Sequence, residues 1–199
     1  VLDQLRQPLE EGVIRVARAA SKVSFPARFL LVGAMNACPC GLGGGAGACR
    51  CSPSARARYA RRVSGPLLDR FDLRVEVGRP EVDDLLASVS GEQSAAVAAR
   101  VAAARRRAVA RGVSANADLP AWRLDEAAPL DLAATRLLER ALGAGRLSGR
   151  GLGGVRRVAR TIADLADDGT SLDAPLGAEH VSTALVLRAE PSFLAGQAA

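Results

Sequence analysis

Phe29-Leu30-Leu31-Val32-Gly33-Ala34-Met35-Asn36 decides how this chain is read. A continuous apolar run closed by a polar amide is the pattern of a strand buried on both faces of a parallel sheet. Ligands bind beyond the carboxyl ends of such strands. Asn36 therefore stands where an amide can orient a water or a phosphate oxygen; its plainer role is to begin the following loop through the turn preference of asparagine.

Upstream of that run, residues 1–9 read as an amphipathic helix with Leu2, Leu5 and Leu9 on one side, so the chain is expected to begin inside a fold. Gly12 breaks the pattern. Val13-Ile14-Arg15-Val16 and Val23-Ser24-Phe25 then read as a hairpin around a polar turn at Ser21-Lys22, closed by Pro26. Downstream, a Gly/Cys-rich loop covers residues 38–52, and residues 53–63 form a basic helix leading into Ser64-Gly65-Pro66-Leu67-Leu68-Asp69-Arg70-Phe71. Asp72-Leu73-Arg74-Val75-Glu76-Val77 alternates charged and apolar residues, as a strand with one covered face does. Beyond Gly78 and Pro80 the pattern turns helical, over about 93–111, 131–142, 152–167 and 177–188, with a polar connection at 112–129. The expected organisation is an α/β domain over 1–80, an all-helical domain over 81–190 and a tail over 191–199.

Composition fits this reading. The hydrophobic content of 49% is ample for a core, while only 3% aromatic residues leaves Leu, Val and Ala to build it, which suits packed helices. A net charge of +6 favours an anionic partner such as DNA, RNA or nucleotide phosphate. Lys22 is the only lysine, so the positive charge is almost all arginine. No apolar run approaches the length of a membrane span, and a cytoplasmic protein is expected.

Two arginines stand out by position. Arg70 is flanked by apolar residues that would fix its guanidinium between a helix end and a strand, from where it can reach a neighbouring subunit; a surface pairing with Asp69 or Asp72 is the alternative. Arg150, in Leu147-Ser148-Gly149-Arg150-Gly151, precedes a helix whose stripe is Leu152, Val155, Ala159, Ile162 and Leu165. It can approach a phosphate or belong to a solvated basic face with Arg156, Arg157 and Arg160.

Cys38-Pro39-Cys40 and Cys49-Arg50-Cys51 hold all the cysteines of the chain. Four thiolates so spaced can close a tetrahedral zinc site, an iron–sulfur cluster takes the same ligands, and free or redox-active thiols are the third possibility. His180 is the only histidine, which excludes a His-based catalytic pair and leaves it a surface or capping role. Because Ala20-Ser21 precede Lys22, no G-K-[ST] phosphate loop exists in this sequence. The acid pairs at 83–84 and 167–168 lie in helical contexts, unlike the strand-end acids that hold Mg2+.

Taken in order, Leu5-Arg6-Gln7-Pro8-Leu9-Glu10-Glu11-Gly12, Phe25-Pro26-Ala27-Arg28-Phe29, Ala34-Met35-Asn36 and residues 64–72 resemble the magnesium chelatase-like AAA+ family of the YifB/ComM type. Cys38-Pro39-Cys40-Gly41, Leu147-Ser148-Gly149-Arg150 and Val158-Ala159-Arg160-Thr161-Ile162-Ala163-Asp164-Leu165 are similar to its C-terminal part. The resemblance implies the end of a AAA+ core, with a parallel sheet and a hairpin before the first sensor, followed by a helical lid. It implies Asn36 as sensor 1, Arg70 as an arginine finger acting in trans, and Arg150 as the sensor 2 arginine, with Arg156 and Arg157 as rivals. It further implies a homo-oligomeric, hexameric ring that uses ATP and Mg2+, with the phosphate loop and Mg2+-holding acids upstream of the segment resembled. DNA is the expected substrate, touched by the hairpin near residues 13–25. A magnesium chelatase-type subunit is the alternative within the family, and a non-enzymatic, metal-stabilised nucleic-acid-binding module is the alternative outside it. Val186-Leu187-Arg188 departs from the aromatic-Arg ending of similar proteins.

Overall fold

The chain divides into two units in the computed structural model, residues 1–71 with 190–199 and residues 72–189. The structure describes residues 2–18, 21–43, 49–78, 80–86, 91–166, 171–191 and 194.

In the first unit a 3-10 turn, Leu2–Leu5, runs into α1 (Arg6–Glu11), which ends at Gly12. Gly12 has φ +66, its N–H donates to the Pro8 carbonyl at 2.9 Å, and a Cβ there would lie 2.9 Å from Arg28 Cγ. Conformation and space both select glycine. The helix buries Pro8 rather than the expected leucine stripe; Leu2 is exposed. Next, β1 (Val13–Arg18) pairs antiparallel with β2 (Ser21–Pro26), in register from Val13↔Pro26 to Arg18↔Ser21. The hairpin forms as the alternation indicates, but Ser21 and Lys22 open β2 instead of making the turn, which falls outside the described residues. Apart from Val13 both strands are exposed, so no layer among the described residues covers the ribbon.

The strand expected at 29–35 does not form, and Leu30 and Val32 are 88% and 81% exposed. A strand exists only by pairing, and among the described residues β1 and β2 make the one sheet, so the expected parallel sheet is absent there. Two serine-capped helices follow: α2 (Pro53–Ala60), where Ser52 accepts from the Ala55 N–H at 3.2 Å, and α3 (Gly65–Leu68), where Ser64 accepts from the Leu67 N–H at 3.2 Å.

The second unit contains the extended core. It comprises α4 (Val82–Leu86), α5 (Ser94–Ala110), α6 (Leu124–Ala127), α7 (Leu132–Gly143), α8 (Gly149–Ala166) and α9 (Ala178–Arg188). Its apolar cluster includes Leu119, Leu124, Leu138, Leu147, Val155, Leu176 and Val181 with interleaved alanines. Three- and four-residue spacing explains the faces: α7 buries Ala134, Leu138 and Ala141, and α8 buries Gly151, Val155, Ala159 and Ala163. Residues 72–77, expected as a strand, are likewise unpaired by any sheet; the Arg74 N–H donates instead to the Leu187 carbonyl at the end of α9, at 2.6 Å. Leu130 and Leu176 form an isolated parallel bridge in this otherwise helical unit.

Burying Asp164 on α8 requires partners. Arg111 Nη1 and Asn116 Nδ2 each donate to Oδ2 at 2.7 Å, and Arg107 Nε donates to Oδ1 at 3.2 Å. Burial opposes ionisation of this carboxyl, but the Arg111 and Asn116 hydrogen bonds outweigh it and hold the carboxyl below its ordinary range. Arg160, also buried, lies 3.5 Å away, so the network ties the end of α5 and the 116–118 turn to α8.

Candidate functional site

The four cysteines, expected from spacing as one group, are one group in space. After Asn36 a tight turn, in which the Gly41 N–H donates to the Cys38 carbonyl at 3.0 Å and Gly41 takes φ +75, folds Cys40 back beside Cys38. The sulfur separations are 3.2 Å for Cys38–Cys40, 3.6 Å for Cys49–Cys38 and 3.8 Å for Cys40–Cys49, and all four sulfurs lie within 4.8 Å of one another. The Gly43 N–H donates to Cys38 Sγ at 3.1 Å, and a Cβ on Gly43 would come within 2.9 Å of that sulfur. Cys38 is buried and Cys40 exposed.

Protons are shared unequally among these thiols. The Leu42 N–H and the Cys38 thiol hold Cys40 down to about 6, while hydrogen bonding to Cys40 and burial push Cys51 up to about 12. The Cys51 N–H pulls Cys49 down, but the Cys38 and Cys40 thiols and burial outweigh it and leave Cys49 raised. Four sulfurs this close cannot all carry charge without a cation among them. Thiolates around a tetrahedral ion with metal–sulfur bonds of about 2.3 Å stand roughly 3.8 Å apart, so the donor set and spacing fit one metal ion. The cluster can hold a metal.

Asn36 is exposed, with its amide 3.6 Å from where a Cβ on Gly41 would lie, so it borders the thiol loop. Arg70 is held inside its own unit. Its side chain is 10% exposed, Nε donates to the Arg6 carbonyl at 3.1 Å, Nη1 to the Pro66 carbonyl at 2.6 Å, and Nη2 to the Glu10 carboxylate. An acid it pairs with is thus Glu10 on α1. Arg70 borders a hollow of about 410 Å³ lined also by Asp3, Arg6, Gln7, Glu10 and Glu11. Carboxylates outnumber guanidiniums there, so the hollow by itself repels a phosphate. Asn36 and Arg70 accordingly occupy separate surroundings.

Arg150, in the second unit, is exposed and lies inside the first turn of α8, which starts at Gly149, earlier than the periodicity indicates. The earlier start follows from Ser148, whose Oγ accepts from the Gly151 N–H at 3.0 Å. Its two rivals have structural work. Arg156 donates to the carbonyls of Leu124 and Ala128 at 2.6 and 2.9 Å and to Asp125 at 2.8 Å, and Arg157 Nε donates to the Leu119 carbonyl at 2.8 Å. His180 caps α9: its Nδ1 accepts from the Gly177 N–H at 3.1 Å. Glu10, the Gly43 N–H and the acceptors of Arg156 and Arg157 escaped the sequence reading, because each contact joins residues with no local pattern in common.

Together these features describe a helical unit and a smaller unit that carries a hairpin and a four-thiol cluster. Comparison with known proteins places that combination. A family model described as magnesium chelatase, subunit ChlI, matches residues 1–85, and one described as magnesium chelatase, subunit ChlI C-terminal, matches residues 91–188. The chain belongs to the magnesium chelatase-like family. It is 42% identical over 165 residues to the uncharacterized protein YifB of Escherichia coli, covering 82% of this chain and 32% of YifB. It is 43% identical over 166 residues to the competence protein ComM of Haemophilus influenzae, covering 83% of this chain and 32% of ComM. It is 41% identical over 169 residues to the uncharacterized protein Mb2921c of Mycobacterium bovis, covering 83% and 33%. The chain therefore spans about a third of the length of these relatives. No helix among the described residues is long and apolar enough to cross a membrane.

Proposed function

We propose that this chain is the γ-phosphate-reading part of an oligomeric AAA+ ATPase that remodels DNA. The observation that carries the reading is family membership together with Asn36, Arg70 and Arg150 at the positions where the family's sensor 1, arginine finger and sensor 2 are expected. The proposed domains are a core portion at 1–80 and a helical lid at 81–190. ATP and Mg2+ are bound with residues outside this sequence, which contains no phosphate loop. A hexameric ring lets one subunit's Arg70 meet its neighbour's nucleotide.

Each residue has a role consistent with its surroundings. Asn36 orients the attacking water from the edge of the thiol loop. Arg70 is stored against Glu10 and the Arg6 and Pro66 carbonyls, and a γ-phosphate, with more charge than one carboxylate, draws it away. Delivered in trans, such an arginine is worth roughly 10³ to 10⁵ in rate. Arg150 is preferred to Arg156 and Arg157 because it is exposed in the first turn of α8 while they are half-buried. Zn2+ suits the four thiolates and serves to hold the loop after Asn36 in shape.

The relative named competence protein ComM supports DNA over assistance to metal insertion. ATP hydrolysis by the intact protein and by its Arg70→Ala variant tests the reading. Loss of turnover by two orders of magnitude or more is expected, and unchanged turnover removes Arg70 from the site. Branch migration of a four-way junction then separates the two family substrates, since a metal-insertion motor leaves the junction untouched.

A further inference from the structure

From Cys38 to Leu68 the sequence contains no aspartate or glutamate, yet it carries Arg50, Arg56, Arg58, Arg61 and Arg62. All five side chains are exposed, and none has an ion pair or a hydrogen bond to an acceptor among the described residues. Arginines in this chain are commonly consumed by structure, as Arg70 is by Glu10, Arg100 by Glu92, Arg111 by Asp164 and Arg156 by Asp125. This stretch keeps its charge unspent.

Geometry concentrates three of them. Arg58, Arg61 and Arg62 stand at i, i+3 and i+4 across the end of α2, a spacing that puts side chains on one helix face. Tyr59 lies beside them, with the Arg62 guanidinium 5.6 Å from the centre of its ring. Arg58, Tyr59 and Arg62 line a hollow of about 340 Å³ with Pro39 and Ala55. Pro39 belongs to the thiol loop and Ser52, next to Cys51, caps α2, so the cluster sets where this helix starts. A helix C-terminus welcomes a cation. That accounts for one arginine, not for three on one face with no acid in the surrounding sequence.

We infer that this face, Arg58, Arg61 and Arg62 with Tyr59, is a docking surface for the sugar-phosphate backbone of nucleic acid, and that Arg50 and Arg56 raise the local potential around it. The inference deepens the DNA-directed reading above by assigning it a surface; it needs no nucleotide hydrolysis. Guanidiniums suit phosphate because each presents a planar fork of donors, and an aromatic ring among them suits a base in a single strand.

Fluorescence anisotropy with a labelled single-stranded 30-mer, the matching duplex and a polyglutamate peptide tests it on the whole chain. The Arg58→Ala/Arg61→Ala/Arg62→Ala variant is compared with wild type and with Arg136→Ala/Arg140→Ala/Arg146→Ala, which removes equal charge from exposed positions in the helical unit. Wild type is expected to bind DNA. The test variant is expected to bind it at least tenfold more weakly, with a salt slope smaller by about 0.9 per lost duplex phosphate contact, and the charge-matched control to stay within about twofold. Replacing the same three arginines by lysine retains charge and restores most of the binding, which shows that the alanine variant failed for lack of cations and not for lack of fold. Equal losses in the two alanine variants, unchanged binding in the test variant, or a wild-type preference for polyglutamate over both DNAs would each overturn the proposal. An intact protein without ATPase activity sinks the motor reading but leaves this result standing.

Discussion

Asp164 shows how a single buried acid can hold an element in place. Replacing it with Ala removes the buried carboxylate shared by Arg111 and Arg160 and leaves Arg111 only the half-exposed Asp173, at 3.4 Å, as counter-charge. Removing one partner of such a buried set typically costs about 3–5 kcal/mol, so Asp164→Ala is expected to lower the urea midpoint of the helical unit sharply. The pH dependence follows from the direction of the shift. Its folded-state pKa lies below the ordinary value of 3.8, so its contribution is complete above that value and is lost as pH falls through the depressed folded-state pKa. Asp164→Asn keeps the shape and removes the titration; its stability is expected to be flatter over that acid range than wild type, as read by denaturation at a series of pH values. This network was only partly legible. Asp164 stood inside a family motif, but Arg107, Arg111 and Asn116 reach it across a fold, not along a repeat, and likewise nothing local announced Glu10 as the partner of Arg70.

At the scale of elements, the helices were legible where periodicity and capping agree. α7, expected at about 131–142, runs Leu132–Gly143 because its buried positions recur every three or four residues and Asp131 accepts from the Ala134 N–H at 2.7 Å. Asp131→Ala is therefore expected to cost about 1 kcal/mol, seen as a lower melting temperature with α7 otherwise intact. The extended segments at 29–35 and 72–77 were misread for a physical reason: apolar runs report a wish to be covered, while strand identity depends on a neighbour's backbone. The hairpin escaped that problem because β1 brings its own partner. Two strands alone are marginal in water, and both are exposed here. Hydrogen exchange is expected to be fastest among ordered elements in β1 and β2 and slowest in α8, which passes through the core; equal protection in hairpin and α8 would show that something else covers the ribbon.

Over the whole molecule, stability is unevenly distributed. The apolar cluster runs from Leu119 to Ala184 and lies entirely in the second unit. Among the described residues the first unit buries Pro8, Cys38, Ala60, Leu67 and Leu194, too few to form a comparable core. A unit so poorly supplied with apolar burial leans on cross-links, and a metal held by Cys38, Cys40, Cys49 and Cys51 joins residues thirteen positions apart in the sequence. Unfolding should then occur in two steps. Stripping the metal with a chelator is expected to shift the first unit's transition to lower denaturant and leave that of the second unchanged, because the helical core contains no cysteine. Hydrogen exchange followed by mass spectrometry reads both at once: after chelation, peptides spanning α2 and α3 should exchange at least tenfold faster, while peptides of α7, α8 and α9 keep their rates. Replacing Cys38 and Cys49 with serine should reproduce the chelator's pattern and make the protein indifferent to chelator. A chelator that slows no folding, speeds no exchange and releases no metal would leave the four thiols as neighbours without a ligand, and the loop after Asn36 would owe its shape to the Gly41 turn and the Gly43 N–H alone.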